Sequence, residues 1–346
     1  MVLTNEVCRA AGLFLLLAMA GLSGPVEAST LRAEEIKFIR IGTGPIGGTY
    51  FPVGGSIASV ISGPPGSMPC NLGGSCGVPG LIAAAVSTEG SLNNVQEMAK
   101  EMLDLALCQS NIAHDAYTGT GLYTGRAVKS IRVIANLFPE TIHVVVRRDS
   151  GIKSIGELKG KRVSVGEENS GTLATAKVVL QGHGLMLKDL KPFYANVARS
   201  ADMLPSDKID AFFMVGGQPM AAVVHSAERV PISLVPIAAR DADRIVAAQP
   251  FFSQTIIPAN TYSGVPATET LGVSAQLIAS AEMDEDLAYA ITRALWDPRN
   301  RRVLDGASPS GGKIQLRSAL DEVAVPLHPG ARRFYLENGM SQAGRL

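Results

Sequence analysis

The stretch "IRIGTGPIGGTYFPVGG", residues 39–55, decides how the rest of the chain is interpreted. The glycines at 42, 44 and 47 follow an apolar run that predicts a strand at Lys37–Gly42. A strand followed by this glycine spacing and a helix is the outline of a dinucleotide-binding turn. Such a turn also needs an Asp or Glu about 20 residues further on. Because no acidic residue occurs from 36 to 88, the sequence argues against a dinucleotide-dependent enzyme.

The overall composition predicts a large, nearly neutral globular protein. The chain has 346 residues, of which 46% are hydrophobic, and this length is sufficient for two lobes. The 31 basic residues equal the 31 acidic residues in number, and no basic stripe is present. These features exclude nucleic acid as an expected partner.

The N-terminal segment has the pattern of an export signal. Arg9 precedes an apolar stretch of 13 residues, which is followed by the small-x-small sequence Val26-Glu27-Ala28. A membrane anchor is the alternative, but a bilayer-spanning helix needs about 20 residues. We therefore expect residues 1–28 to be a signal peptide that is cleaved after Ala28, which makes the mature protein periplasmic.

The cysteines predict one disulfide and no metal site. Cys70 and Cys76 are separated by five residues, two of them glycine, and would meet an oxidising compartment after export. Cys108 lies in an apolar run and is expected to pack as a buried thiol. No histidine stands at ligand spacing from any of them, so we predict neither a metal ion nor a cofactor.

Apolar runs alternate with helical patterns, which predicts an α/β fold. Three strands lead through short loops into helices, and a helix N-terminus favours a negatively charged ligand group. Strands are predicted at Lys37–Gly42, Leu81–Ser87, Leu105–Gln109, Ile131–Leu137, Ile142–Arg147, Arg162–Gly166, Ala211–Val215 and Ile232–Ile237, and helices at Pro52–Ile61, Leu92–Lys100, Ile112–Tyr117, Thr172–His183, Ala198–Leu204, Pro219–Ala227, Ala275–Ser280 and Glu285–Trp296.

From its first loop onward the chain resembles the TAXI receptors. These are the extracytoplasmic solute-binding proteins of one subclass of tripartite ATP-independent periplasmic (TRAP) transporters. "GPIGGTYFPVGG" is similar to that family's GxxGGTYYPxGG signature, with Phe51 in place of the second Tyr. The resemblance continues in order through "STEGSLNNV", "LALCQSNIAHDAY", "GIKSIGELKGKRVSVGEENSGT", "KIDAFFMVGGQP" and "PLHPGARRFYLENG". It covers roughly residues 36–340.

The resemblance implies a two-lobed, type II-like periplasmic-binding-protein fold. Its lobes close on a small ligand, often a carboxylate such as glutamate, which is delivered to an integral membrane permease driven by an ion gradient. The distribution of motifs predicts one lobe from residues 36–140 plus 258–346 and the other from 141–257. We expect crossings near Phe138–Ile142 and Ile256–Tyr262, and a monomer.

Candidate ligand-binding residues lie at the starts of predicted helices. Ser170-Gly171-Thr172 is the strongest anion site because backbone N–H groups and two hydroxyls converge there, while Glu167 and Glu168 are expected to point into solvent. The alternatives are structural: a Tyr packed on the core, Ser or Thr helix caps, and Pro at a first helical position. The candidates are Gly48, Thr49, Tyr50, Ser91, Asn94, Gln109, Ser170, Gly171, Thr172, Gly217 and Pro219.

Two other classes of function stay open. A secreted hydrolase is disfavoured because the sequence has no Gly-x-Ser-x-Gly elbow and its five histidines are scattered. We therefore predict no catalytic residue. A stand-alone binding module that feeds a sensor would share the same ligand site.

Overall fold

The computed structural model describes residues 36–341. The predicted signal peptide, residues 1–28, lies outside the described residues. Within 36–341, none of the helices has both the length and the apolar character that crossing a bilayer requires. The predicted α/β class is confirmed, because strands and helices alternate along the chain.

One large sheet organises the described part of the chain. Its order is β4-β1-β5-β12-β6-β9-β7-β8, with β10 added to β6 and β11 to β12, and β2 pairs with β3 apart from it. The strands are β1 (Lys37–Gly42), β2 (Ser62–Gly63), β3 (Val78–Pro79), β4 (Leu81–Val86), β5 (Leu105–Gln109), β6 (Ile131–Arg147), β7 (Arg162–Ser164), β8 (Lys191–Phe193), β9 (Ala211–Gly216), β10 (Ile232–Leu234), β11 (Ser253–Ile257) and β12 (Thr268–Ser280).

Helices connect and cover these strands. β1 pairs in parallel with both β4 and β5, so the carboxyl ends of these three strands lie at the same edge of the sheet. The helices are α1 (Tyr50–Ile61), α2 (Ser91–Ala99), α3 (Ser110–Thr118), α4 (Gly171–Gly182), α5 (Val197–Met203), α6 (Ala221–Arg229), α7 (Ala239–Ala248), α8 (Glu285–Leu295), α9 (Arg301–Ala307) and α10 (Pro329–Glu337).

The apolar side chains form two separate cores along the sheet. The first core joins residues of β1, β5 and the second half of β12 with the C-terminal helices. The second core has two clusters on opposite faces of the sheet: Val144 and Phe213 lie in one, and Val145 and Phe212 in the other. This alternation follows from the two-residue period of a strand. Two cores on one sheet give the two-lobed fold.

Two long strands pass from one core to the other. β6 contributes Phe138 to the first core and Ile142 to the second, at the predicted crossing. In β12 the change falls between Val273 and Ala275, later than the crossing expected near 256–262. The bounds of the lobes stay a prediction. In the structure the second passage between the cores lies within β12.

The structure corrects one of the predicted helices. The helix expected at Ala275–Ser280 is wrong, because these residues are the end of β12 and pair with β5 and β6 on either side. Alanine, glutamine and leucine favour helices, but this preference amounts to only tenths of a kcal/mol per residue. The stabilisation that residues 275–280 gain from hydrogen bonding to two strands and from burial between them is larger than that preference.

The predicted disulfide is confirmed. Cys70 and Cys76 are bonded, with their Cα atoms 4.6 Å apart, within the range such bonds require. The bridge closes a short loop between β2 and β3. Cys108 is a free, buried thiol in β5, as expected.

Candidate functional site

A small cavity lies between the two cores, where three helices begin. α1 starts at Tyr50, α2 at Ser91 and α4 at Gly171, and all three residues line the cavity. Its volume of about 40 Å³ corresponds to room for roughly three water molecules. The first N–H groups of a helix have no partner inside the helix and carry a partial positive charge, so the cavity suits a small anionic group.

Most of the predicted ligand residues meet at this cavity, and several lining residues were not predicted. The predicted ones are Gly48, Thr49, Tyr50, Ser91, Gln109, Ser170, Gly171 and Thr172. The additional ones are Gly44, Pro45, Glu89, Gly90, Glu140, Met214 and Val215. Residues far apart in sequence therefore contribute to one site.

Ser170 acts as the cap of α4 as well as lining the cavity. Its hydroxyl accepts a hydrogen bond from the Leu173 N–H at 3.0 Å and donates one to the Glu167 carbonyl at 2.7 Å. The Thr172 hydroxyl has only a weak contact, 3.9 Å to the Met214 sulfur. The hydroxyl available to a ligand at this helix start is thus that of Thr172, since the Ser170 hydroxyl is already used.

Tyr50 and Glu140 form a buried hydrogen-bonded pair on the cavity wall. The Tyr50 hydroxyl donates to Glu140 Oε2 at 2.8 Å, and both side chains are buried. Burial raises the pKa of Glu140 to about 8, because a charged carboxylate loses its hydration there. Sequence reasoning missed Glu140, which falls between two predicted strands that are one continuous strand in the structure.

Ser91 and Gln109 join the start of α2 to the end of β5. The Ser91 hydroxyl accepts a hydrogen bond from the Gln109 N–H at 3.1 Å. The Gln109 side chain accepts one from Thr175 Oγ1 at 3.3 Å. Gly171 lies against both, since a Cβ there would be 2.6 Å from Gln109 Oε1 and 2.9 Å from Ser91 Oγ. α4 therefore approaches the first lobe closely only because residue 171 is a glycine.

Three predicted residues do not line the cavity. Asn94 is fully buried, and its amide donates to the carbonyls of Thr43 and Leu107, both at 2.7 Å. Gly217 donates its N–H to Thr49 Oγ1 at 3.2 Å. Pro219 follows a cis peptide bond and precedes α6, which begins two residues later. Asn94 joins the segments of Thr43 and Leu107 through its hydrogen bonds. Gly217 and Pro219 belong to the segment that lies opposite Thr49.

Polar contacts across the cleft bring the two lobes together. The Glu89 carboxylate accepts hydrogen bonds from both the N–H and the side-chain amide of Asn169, each at 3.0 Å. The Asn93 N–H donates to the Asn169 carbonyl at 2.9 Å. Glu167, which was expected to point into solvent, is half-buried, and the nearby Glu89 adds to the rise of its pKa. The contacts between Glu89 and Asn169 close one side of the cleft. The hydrogen bond from the Gly217 N–H to Thr49 Oγ1 closes the other side.

The described residues offer little to a metal ion. The cluster of possible ligands found among residues 36–341 combines Cys70, Cys76 and Asp297. Both sulfurs are bonded to each other, so they are not thiolate ligands in this state.

Comparison with solved structures identifies the class of fold. A protein from Bordetella bronchiseptica RB50 is 16% identical, with a TM-score of 0.50 over 89% of this chain and 84% of that one. A binding protein component of an ABC phosphonate transporter from Pseudomonas aeruginosa has 12% identity, 84% coverage of each chain and a TM-score of 0.47. A periplasmic aliphatic sulphonate binding protein from Escherichia coli has 12% identity, coverage of 80% and 79%, and a TM-score of 0.41. The two-lobed α/β fold of this chain is shared with the Bordetella bronchiseptica protein.

The family can be stated more closely. Residues 41–339 match the model of the NMT1-like family, and the chain belongs to that family. The match spans both cores and all the lining residues of the cavity. The finer assignment to the TAXI receptors stays a prediction from the motifs.

Proposed function

We propose that the protein is an exported periplasmic receptor that captures a small carboxylate-bearing solute and delivers it to a TRAP-type membrane permease. The observation that supports the proposal most is the cavity itself. Eight residues chosen from the sequence as ligand contacts line it, and they come from segments on both sides of the cleft. The motif resemblance to TAXI receptors supports the choice of permease.

The cavity supports binding of the carboxylate at the start of α4. Gly171 and Thr172, the first two residues of this helix, line the cavity, and a hydrogen bond from such a helix start to a charged group contributes about 1.5–3 kcal/mol. The helix adds its own favourable field for an anion. A hydrolase would need a nucleophile beside a base, and the carboxyl group of Glu140 on the cavity wall accepts a hydrogen bond from Tyr50 rather than from a serine or threonine hydroxyl.

Mass spectrometry of the solute released from the purified, denatured protein tests the proposal. A receptor is expected to carry one small acid in stoichiometric amount, to be stabilised thermally by it, and to leave it unchanged on incubation. Consumption of the solute would instead support the hydrolase. Release of no solute, together with no stabilisation by any small acid, would contradict a receptor function.

A glycine variant tests whether this cavity is the binding site. In Gly171→Ala the new methyl group would overlap Gln109 and Ser91, and overpacking of this kind costs about 1–3 kcal/mol. We expect affinity for the co-purified solute to fall about 10- to 100-fold. Gly55→Ala is the matched control, because a Cβ there has no neighbour within 4 Å. Equal affinities of the two variants would place the site elsewhere.

A further inference from the structure

Glu140 is a buried acidic side chain on the cavity wall, at the point where β6 passes between the cores. It is 1% exposed and lines the cavity together with Tyr50. One oxygen of its carboxyl group accepts a hydrogen bond from the Tyr50 hydroxyl at 2.8 Å. A buried carboxylate usually needs several donors or a cation to stay ionised.

The surroundings of Glu140 provide no positive side chain. Among the described residues that line the cavity there is no Lys, Arg or His, and the other carboxylate present is Glu89. The other titratable groups beside Glu140 are the Tyr50 hydroxyl and the buried Cys108 thiol, and neither is a cation. Three helices begin at this cavity, and their positive ends favour one anionic group of a ligand. A neutral Glu140 carboxyl group is compatible with that ligand group, whereas an ionised Glu140 carboxylate would repel it.

We propose that Glu140 determines ligand specificity: the site takes a small, singly charged anion that also carries a neutral hydrogen-bond acceptor, and this acceptor receives a hydrogen bond from the Glu140 carboxyl group. The inference rests on the proposed receptor function and names the class of solute. The anionic group lies at the helix starts, and the neutral acceptor lies at Glu140.

The same geometry excludes two related classes of solute. A second anionic group would face the Glu89 carboxylate with no positive side chain among the lining residues, in a space where Coulomb repulsion is poorly screened. An ammonium group would face three positive helix ends and a carboxyl group that donates rather than accepts.

Three two-carbon acids make a matched set of probes. Glycolate carries one carboxylate and a neutral hydroxyl, oxalate carries two carboxylates, and glycine carries a carboxylate and an ammonium group. Calorimetric titration of the mature protein at pH 6 is expected to show glycolate binding at least ~10-fold more tightly than the other two, since a mismatched buried polar contact costs more than 1.4 kcal/mol. At pH 9 glycolate affinity should fall about 10-fold, because the pKa of Glu140, about 8, leaves roughly a tenth of the acid neutral.

The Glu140→Gln variant separates this role from a structural one. Its amide keeps a neutral donor at every pH, so glycolate affinity should stay within about 3-fold of the wild-type value at pH 6 and should not fall at pH 9. Glu140→Leu, which has no donor, should lose affinity at both pH values. Glu269→Gln, an exposed change on β12, is the control and should keep the wild-type pH profile.

Several outcomes would overturn the proposal. Tighter binding of glycine, a severe loss of affinity in Glu140→Gln, or equal binding of oxalate would each show that Glu140 acts as an ionised partner or not at all. Absence of binding by all three probes, in a protein that still releases a co-purified solute, would overturn the ligand class and leave the receptor function standing. Absence of any co-purified solute would contradict the receptor function itself.

Discussion

Replacing Glu140 by Gln should change the pH dependence of stability even without a ligand. Burial raises the pKa of Glu140 from its ordinary value of 4.5 to about 8 in the folded protein. Between these two values the folded protein holds a proton that the unfolded chain releases. The free energy of unfolding of the wild type therefore falls as the pH rises through this window, and it is unaffected by this group below pH 4.5.

The size of the effect follows from the two pKa values. Each pH unit inside the window removes up to about 1.4 kcal/mol, so the step from pH 5.5 to pH 7.5 should cost the wild type about 3 kcal/mol relative to Glu140→Gln. The glutamine keeps an oxygen that can accept the hydrogen bond from Tyr50. The variant should therefore fold with the same wall of the cavity.

Urea unfolding curves at closely spaced pH values measure this difference. The quantity of interest is the unfolding free energy of the variant minus that of the wild type, which should rise steadily from pH 5.5 to pH 7.5. Glu269→Gln, on the exposed side of β12, provides the comparison for general effects of removing one charge. A difference that stays constant over these two pH units would refute a neutral, buried Glu140.

Three further predictions concern stability and closure. Gly55→Ala should raise the unfolding free energy by ~0.5–1 kcal/mol because its Cβ meets open space in a helix, whereas Gly54→Ala should lower it, because that Cβ would lie 2.3 Å from a threonine methyl group; thermal denaturation compares the pair. Reduction of the bridge, or Cys70→Ser with Cys76→Ser, should lower stability by ~2 kcal/mol for so short a loop, and intact mass under non-reducing conditions should show the bridge in the wild type. Asn169→Ala removes the side-chain amide donor to the Glu89 carboxylate across the cleft and leaves the backbone N–H donor in place, and it should weaken binding of the co-purified solute about 5- to 20-fold, while Asn338→Ala, far from the cleft in sequence, serves as the control; equal affinities would mean that this side-chain contact does not hold the lobes together.

Local patterns in the sequence predicted the elements that depend on local interactions. The strands Lys37–Gly42 and Leu105–Gln109 have the predicted bounds, because short apolar runs bounded by turn residues define them. The helix predicted at Thr172–His183 begins one residue earlier, at Gly171, where Ser170 is its cap. The residues at such starts met at the cavity because helix N-termini gather at the carboxyl edge of parallel strands.

Long-range pairing produced the features that were not predicted. β12 is a strand because β5 and β6 pair with it on both sides, and nothing within residues 275–280 records those partners. Glu140 was missed because it falls between the strands predicted at Ile131–Leu137 and Ile142–Arg147, which are one strand in the structure. The buried contacts of Asn94 were not predicted either, because the partners of its amide, the carbonyls of Thr43 and Leu107, lie far from it in the sequence.

The passage of β12 through both cores has a consequence for the order in which the protein folds. The second core consists of residues that lie between 142 and 273, so a ribosome has delivered all of them before the chain is complete. The first core needs residues near 39 and residues up to 335, and β12 pairs with strands that lie more than a hundred positions earlier in the chain. Contacts between such distant positions slow folding. We expect the first lobe to be completed last, only after nearly the whole chain has been synthesised.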